Sequence, residues 1–285
     1  MESSDQIRDE EVPLQFCTPR AVKFDTTLLS NELGPQRNIG EETRTKITQK
    51  EYQGGEVIAS IARICYGTFK EKKAVIIVIQ LLLKPSNRTS HLQHLEVEVS
   101  FEPRPGLAGP KADSPIVRNL SPRKVYGIPD ASTGTWSFVT QQQWNAQAAK
   151  SGTTSSTYSS KESTPGNTPS LVITGRPWSD QRRREMHKAC WVIQEKGEPG
   201  LGIPDEVNIA MIAECESSFQ ANVKISLDIP LHRKLLAFPW TKDDPIIFPQ
   251  RDPGPFIGEG LGTIKFEKLS DVEWAALISG HDVRS

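Results

Sequence analysis

The stretch AVIIVIQLLL, Ala74–Leu83, decides the fold class. It is apolar on both of its alternating faces, interrupted only by Gln80, and rich in Val and Ile. Those side chains suit a pleated backbone packed on both sides, so the segment reads as a central, doubly covered strand. It is too short for a membrane span, which needs roughly 18 to 20 apolar residues. VNIAMIAEC, 207–215, is a milder case of the same pattern.

Outward from this strand the pattern becomes strictly alternating. HLEVEVSFE, 94–102, puts Leu95, Val97, Val99 and Phe101 on one face and Glu96, Glu98, Ser100 and Glu102 on the other. SSFQANVKISLDIP, 217–230, alternates Phe219, Ala221, Val223, Ile225, Leu227 and Ile229 with Gln220, Asn222, Lys224, Ser226 and Asp228. Period-two alternation means a strand with one dry and one wet face. DQRRREMHKACWVIQEKG, 180–197, has two readings. Met186, Ala189, Cys190 and Ile193 fall at helical spacing, while the position of the segment in the order of strands favours a strand over 187–194.

Several short strings recur in order on both sides of residue 153. KKAVIIVIQ (72–80) is echoed by HKACWVIQ (187–194), VEVSFEP (97–103) by VKISLDIP (223–230) and DSPIV (113–117) by DDPII (243–247). Tyr66-Gly67 is matched by Thr174-Gly175 and Tyr126-Gly127 by Ile257-Gly258. GTWSF (134–138) is echoed by GTIKF (262–266), and TQQQW (140–144) by SDVEW (270–274). Thr-x-x-Gln and Ser-x-x-Glu are capping boxes, in which hydroxyl and carboxyl or amide side chains satisfy the first free N–H groups of a helix. The expected fold is therefore all-β and mainly antiparallel: tandem duplicated β-sandwich-like repeats, each closed by a short C-terminal helix whose Trp packs on its sheet.

The division that follows has an acidic tail over 1–19, expected to be disordered, and a first β domain over 20–152 with its repeat core at 57–152. A Ser/Thr/Gly/Pro-rich linker covers 153–170, and a second β domain 171–285. AVKFD, 21–25, is a candidate short strand. Whether the repeats form two sandwiches or share one is open at this level.

The composition sets limits on function. Lys and Arg number 34 against 35 Asp and Glu, for a net charge of -1. That balance gives no global reason to expect nucleic acid or an anionic membrane as partner. Cys17, Cys65, Cys190 and Cys215 form no CxxC pair, which speaks for a reducing compartment rather than a zinc knuckle. The acidic start MESSDQIRDEEVPLQ lacks a signal peptide's apolar stretch, so the expectation is a soluble, cytoplasmic protein.

At LVITGRPW (171–178) and onward to Pro230 the sequence resembles a functionally uncharacterised, β-rich protein family of filamentous fungi. Ile173-Thr174-Gly175, Trp191, Glu195, Gly202-Ile203-Pro204 and Asp244-Pro245-Ile246 carry the resemblance, with a fainter echo in SPRKVYG (121–127) and Trp136. It implies a fungal, β-rich protein and transfers neither an activity nor site residues.

No residues assemble into a recognisable catalytic or cofactor motif, so no catalytic residue, metal ligand or cofactor is expected. His91 and His94 lack a third ligand at a metal-binding spacing. His187 and Cys190 have no nucleophile elbow or oxyanion loop around them. Asp243 and Asp244, with Asp228 and Asp252, are reminiscent of calcium-dependent lipid-binding loops, but calcium takes six to eight oxygens, and turn formation before Pro245 explains the pair more simply. GEGLG, 258–262, lacks the strand–helix context of a dinucleotide loop. The basic cluster Arg176, Arg182, Arg183, Arg184 and Lys188 with Trp178 is the candidate anion-binding set, because guanidinium groups beside an indole hold phosphate well.

Three functions follow. The leading one is a non-catalytic protein-interaction or scaffold module, with a protein as partner and a homodimer through sheet edges compatible with it. The second is a phosphate- or lipid-headgroup-binding module using the Arg182–Arg184 loop, or Asp243 and Asp244. The third is an enzyme with a polar cleft between the repeats, where Trp178, Arg182, His187 and His232 would converge.

Overall fold

The computed structural model describes residues 35–40, 43–52, 55–86, 92–105, 114–130, 135–140, 170–179, 185–196, 202–227, 243–252, 254–257 and 264–279. The tail over 1–19, the candidate strand 21–25, the linker up to Pro169, the first closing helix after Thr140, and His91, Asp113, Asp228, His232 and GEGLG lie outside the described residues.

Among the described residues thirteen strands run in chain order: β1 (Lys46–Tyr52), β2 (Gly55–Phe69), β3 (Lys72–Pro85), β4 (His94–Pro103), β5 (Ile116–Ser121), β6 (Lys124–Asp130), β7 (Thr135–Thr140), β8 (Leu171–Trp178), β9 (Lys188–Glu195), β10 (Glu206–Glu214), β11 (Phe219–Leu227), β12 (Ile246–Phe248) and β13 (Gly254–Ile257). A 3-10 turn, Phe266–Lys268, leads into helix α1 (Asp271–Ser279). Segment 180–197 contains a strand, not a helix, over its described part. Burying Ala189, Trp191 and Ile193 on one side and pairing backbone on both edges outweighs the weak helical spacing.

Among the described residues all strand pairs are antiparallel and build two sheets. Sheet A runs β1-β2-β3-β10-β5, with β13 also on β2, and sheet B runs β12-β11-β4-β9-β8-β6-β7. The face of β3 carrying Val75, Ile77, Ile79 and Leu81 packs into one core with Leu95, Val97 and Val99 of β4 and Trp191 of β9. Its opposite face, Ala74, Ile76 and Val78, packs with Phe266, Leu277, Ile278 and the partly buried Trp274 under α1. Both faces of AVIIVIQLLL are thus dry, and its central position in sheet A follows from that. Phe219 of β11 stacks on Phe248 at 4.8 Å and meets Phe101 of β4 edge-on at 5.7 Å, which ties three adjacent strands together.

Neither sheet belongs to one half of the chain. β10 inserts between β3 and β5, β4 lies between β9 and β11, and β6 pairs β8. The segments 20–152 and 171–285 are therefore not two sandwiches side by side, because each sheet needs strands from both. The boundary near 153–170 divides the sequence but not the sheets.

The pairings β3–β10 and β4–β9 share one register. Ile77 pairs Met211 and Val97 pairs Trp191. One shift of 114 residues carries the first pair onto the second (191 − 77 and 211 − 97). The same shift relates Val75↔Ala213 to Ala189↔Val99 and Ile79↔Ile209 to Ile193↔Leu95. Equal register in the two pairings is met by other shifts as well, so what it establishes is that KKAVIIVIQ and HKACWVIQ, in β3 and β9, each pair in the same register with a strand of the other half. VEVSFEP lies in β4 and the described part of VKISLDIP in β11, direct neighbours with Val97 opposite Ile225. The described part of GTWSF lies in strand β7, whereas the described part of GTIKF forms an isolated parallel bridge, Lys265 to Thr68, and the start of the 3-10 turn. Alternating strands resemble one another because every half-buried strand needs the same pattern, so similarity of pattern alone did not identify equivalents.

Candidate functional site

The six candidate anion-binding residues belong to β8, β9 and the connection between them. Arg182, Arg183 and Arg184 lie outside the described residues. Arg176, Trp178 and Lys188 share one face of sheet B, because residues two apart on a strand point the same way and Trp178 is directly opposite Lys188. This is the face turned away from the core, since Ala189 and Trp191 point inward.

Across four strands this face forms a row: Arg176 beside Cys190, Cys190 beside Glu98, Glu98 beside Lys224. In the next row the Lys188 ammonium sits 4.4 Å above the centre of the Trp178 ring and 3.7 Å from the Glu98 carboxylate. The Cys190 thiol donates to Glu96 at 3.4 Å, and Gln220 donates to Glu102 at 3.2 Å. Arg176, Lys188 and Lys224 are thus interspersed with Glu96, Glu98 and Glu102. Interspersed opposite charges cancel at short range, so the described part of this face has mixed rather than positive character. The carboxylates were missed as site residues in the sequence. Their signal was the wet face of HLEVEVSFE, but alternation shows that they share a side without showing which strand lies beside them.

His187 and Cys190 do not form a nucleophile–base pair. His187 is buried and its Nδ1 lies 3.1 Å from the Pro115 carbonyl. A carbonyl only accepts, so that nitrogen carries the proton. Cys190 is on the opposite face with Glu96, and burial, reinforced by that carboxylate, pushes its thiol up to about 11. Burial similarly pushes Cys215 up to about 12. These are unreactive thiols at neutral pH. His187 and Trp178, two of the residues expected to converge in a cleft, face opposite sides of sheet B.

Asp243 and Asp244 hold the segment that precedes β1. Asp243 accepts from the Gln36 backbone N–H at 2.8 Å, and Asp244 from the Arg37 guanidinium at 2.7 Å and the Asn38 N–H at 3.1 Å. Arg44 donates to the Asp244 carbonyl, and the Asp244 N–H returns a bond to Gln36. The Asn38 N–H, then Arg37, hold the Asp244 carboxyl below the usual carboxylate range. Asp252 is exposed, and no three His, Cys, Asp or Glu side chains gather as a metal site among the described residues. The two aspartates do more than turn the chain before Pro245, and they face N–H groups rather than leaving their oxygens together for a cation.

Between the sheets the core is filled by aliphatic and aromatic side chains from both halves. A cavity of about 20 Å³ at one end is lined by Tyr66, Lys73, Cys215, Ser217, Gln250 and Arg251. That is room for about one water molecule. No family model, curated protein or solved structure matches this chain.

Proposed function

We propose that this protein is a non-catalytic interaction module that contacts a protein partner through the outward face of sheet B. The supporting observation is the row Arg176–Cys190–Glu98–Lys224 with Trp178 and Lys188 beside it. Trp and Arg supply large contact area at interfaces, and alternating charge sets register with a complementary surface. The dry core between the halves speaks against an enzyme whose site lies there.

The phosphate reading has one specific observation in its favour. Arg176, Trp178 and Lys188 share a face at the end of β8 and β9 that leads into the connection containing Arg182–Arg184. One experiment separates the two. The full-length protein, an Arg176→Glu/Trp178→Ala double variant and an Arg182/183/184→Ala triple variant are immobilised and challenged with lysate of the source cells and with anionic vesicles. The protein reading requires a set of captured proteins that the double variant loses. Equal capture by wild type and double variant rejects it. Vesicle binding that is salt-sensitive and abolished in the triple variant establishes the phosphate reading instead.

We also infer that the two halves arose by duplication. The reciprocal order of the strands in the two sheets supports this, as does the equal register of β3–β10 and β4–β9, and a closing helix after Thr140 matching α1 belongs to the same inference. Membership of the fungal β-rich family remains part of this proposal. No helix among the described residues is long and apolar enough to cross a membrane, which is compatible with the proposed cytoplasmic setting.

A further inference from the structure

The two halves of the chain exchange strands reciprocally. Read along its strands, sheet A contains β13-β2-β3-β10-β5, and sheet B contains β6-β8-β9-β4-β11. Exchanging β2 with β8, β3 with β9, β4 with β10, β5 with β11 and β6 with β13 turns one series into the other. Each half gives a hairpin to one sheet and lends its next strand to the other. Six of the eleven strand pairings among the described residues join the halves: β2–β13, β3–β10, β5–β10, β4–β9, β4–β11 and β6–β8.

We propose that residues 35–140 and 170–279 are interlocking pieces held by their own interface rather than by the connection between them. The partner that each half fits is the complementary half, from the same chain or from a second copy. The proposal goes beyond the reading of the sheet B face and does not depend on it.

The energetics favour this. Ile77 and Val97 from the first half and Trp191 and Met211 from the second are all at most 2% exposed in one core. Separating the halves would expose that core and leave the central strands with unpaired backbone along an edge. Interfaces of this kind, resembling a domain core cut in two, are obligate. The ends of the connection are close together. Thr140 and Ile173 both lie opposite Val125, on either side of β6. Strands are about 4.8 Å apart, so the two ends are roughly 10 Å apart. The residues between Thr140 and Leu171 could reach on the order of 100 Å when extended. A covalent connection raises the effective concentration of one half near the other, while the strand pairings between the halves specify how they dock.

The test uses the full chain with a specific protease site, flanked by Gly-Ser spacers, inserted after Ser160. Complete cutting is confirmed on a denaturing gel. The expected result is that both fragments elute together in native buffer, at a mass equal to the intact chain's 31.7 kDa plus the insertion. They should separate only in denaturant and reassociate on dilution. Fragments that part or precipitate after cutting in native buffer, and fail to reassemble after cutting in denaturant, overturn the proposal. A second arm identifies the source of the halves. Two uncut chains carrying different tags are unfolded together and refolded at high concentration. Dimers containing both tags show that a second copy supplies the complementary half. Exclusive recovery of monomer rejects the second-copy source and leaves the same-chain pairing as the only one.

Discussion

Glu214 ends β10 with 6% of its surface exposed, and two cations reach it. Lys72 Nζ is 2.8 Å from one carboxylate oxygen and Arg118 Nε 2.5 Å from the other. Burial alone would raise this carboxyl, but the bonds from Arg118 and Lys72 outweigh it and hold it below the usual range. A carboxylate with a depressed folded-state pKa stabilises the fold above its unfolded pKa, and that contribution disappears as pH falls through the folded value. Glu214→Gln should therefore lower stability at pH 7 by about 1–3 kcal/mol. The gap between wild type and variant should close on acidification below about pH 4. Thermal unfolding at several pH values measures it, and a gap that stays constant into acid contradicts the assignment. Nothing in the sequence marks Glu214, since Arg118 lies far away in the chain. The resemblance motifs, by contrast, turn out to be framework. A Cβ on Gly175 would come within 2.6 Å of Trp191 Nε1, and Glu195 accepts from the N–H of Gly202, which has φ 73°.

At the scale of elements, capping and alternation were legible because both are local. SDVEW predicts a capped helix. In α1 the Glu273 N–H donates to Ser270 Oγ at 3.3 Å, and the Ser270 N–H donates to Glu273 Oε2 at 2.8 Å. Ser270→Ala should destabilise the protein by about 0.5–2 kcal/mol, read as a shifted denaturant midpoint with unchanged slope. No shift would mean that packing of Trp274 alone holds the helix. The β2–β3 turn was less legible. Lys70 and Glu71 both have positive φ, 50° and 68°, in the two-residue turn where Asn-Gly is favoured. The surrounding hairpin imposes this conformation on residues that carry no turn signal.

The whole molecule should unfold as one unit. Two independent sandwiches would melt separately, but β3 and β9 each have neighbours from both halves, and β4 and β10 each lie between two strands of the other half. Circular dichroism and Trp fluorescence should therefore trace a single coincident transition in denaturant. Two resolved transitions would contradict the interleaved sheets. The joint face of Arg176, Trp178 and Lys188 exists at the same scale. Their proximity in sequence suggested a cluster, while the carboxylates of β4 that balance it arrive from about ninety residues away.

By itself the sequence determined that AVIIVIQLLL is a strand covered on both sides, that HLEVEVSFE and SSFQANVKISL are strands with one dry face, and where the last helix begins. Those properties depend on side-chain period and on hydrogen bonds a few residues apart. Only the tertiary structure decided which strands are neighbours and that the halves share two sheets. It also decided that Asp243 and Asp244 hold the segment before β1. Backbone hydrogen bonds between strands are the same whatever the side chains, and alternating strands are interchangeable in pattern. Pairing was settled by how both faces of β3 and the inward face of β9 could be buried at once, a condition that no local stretch contains.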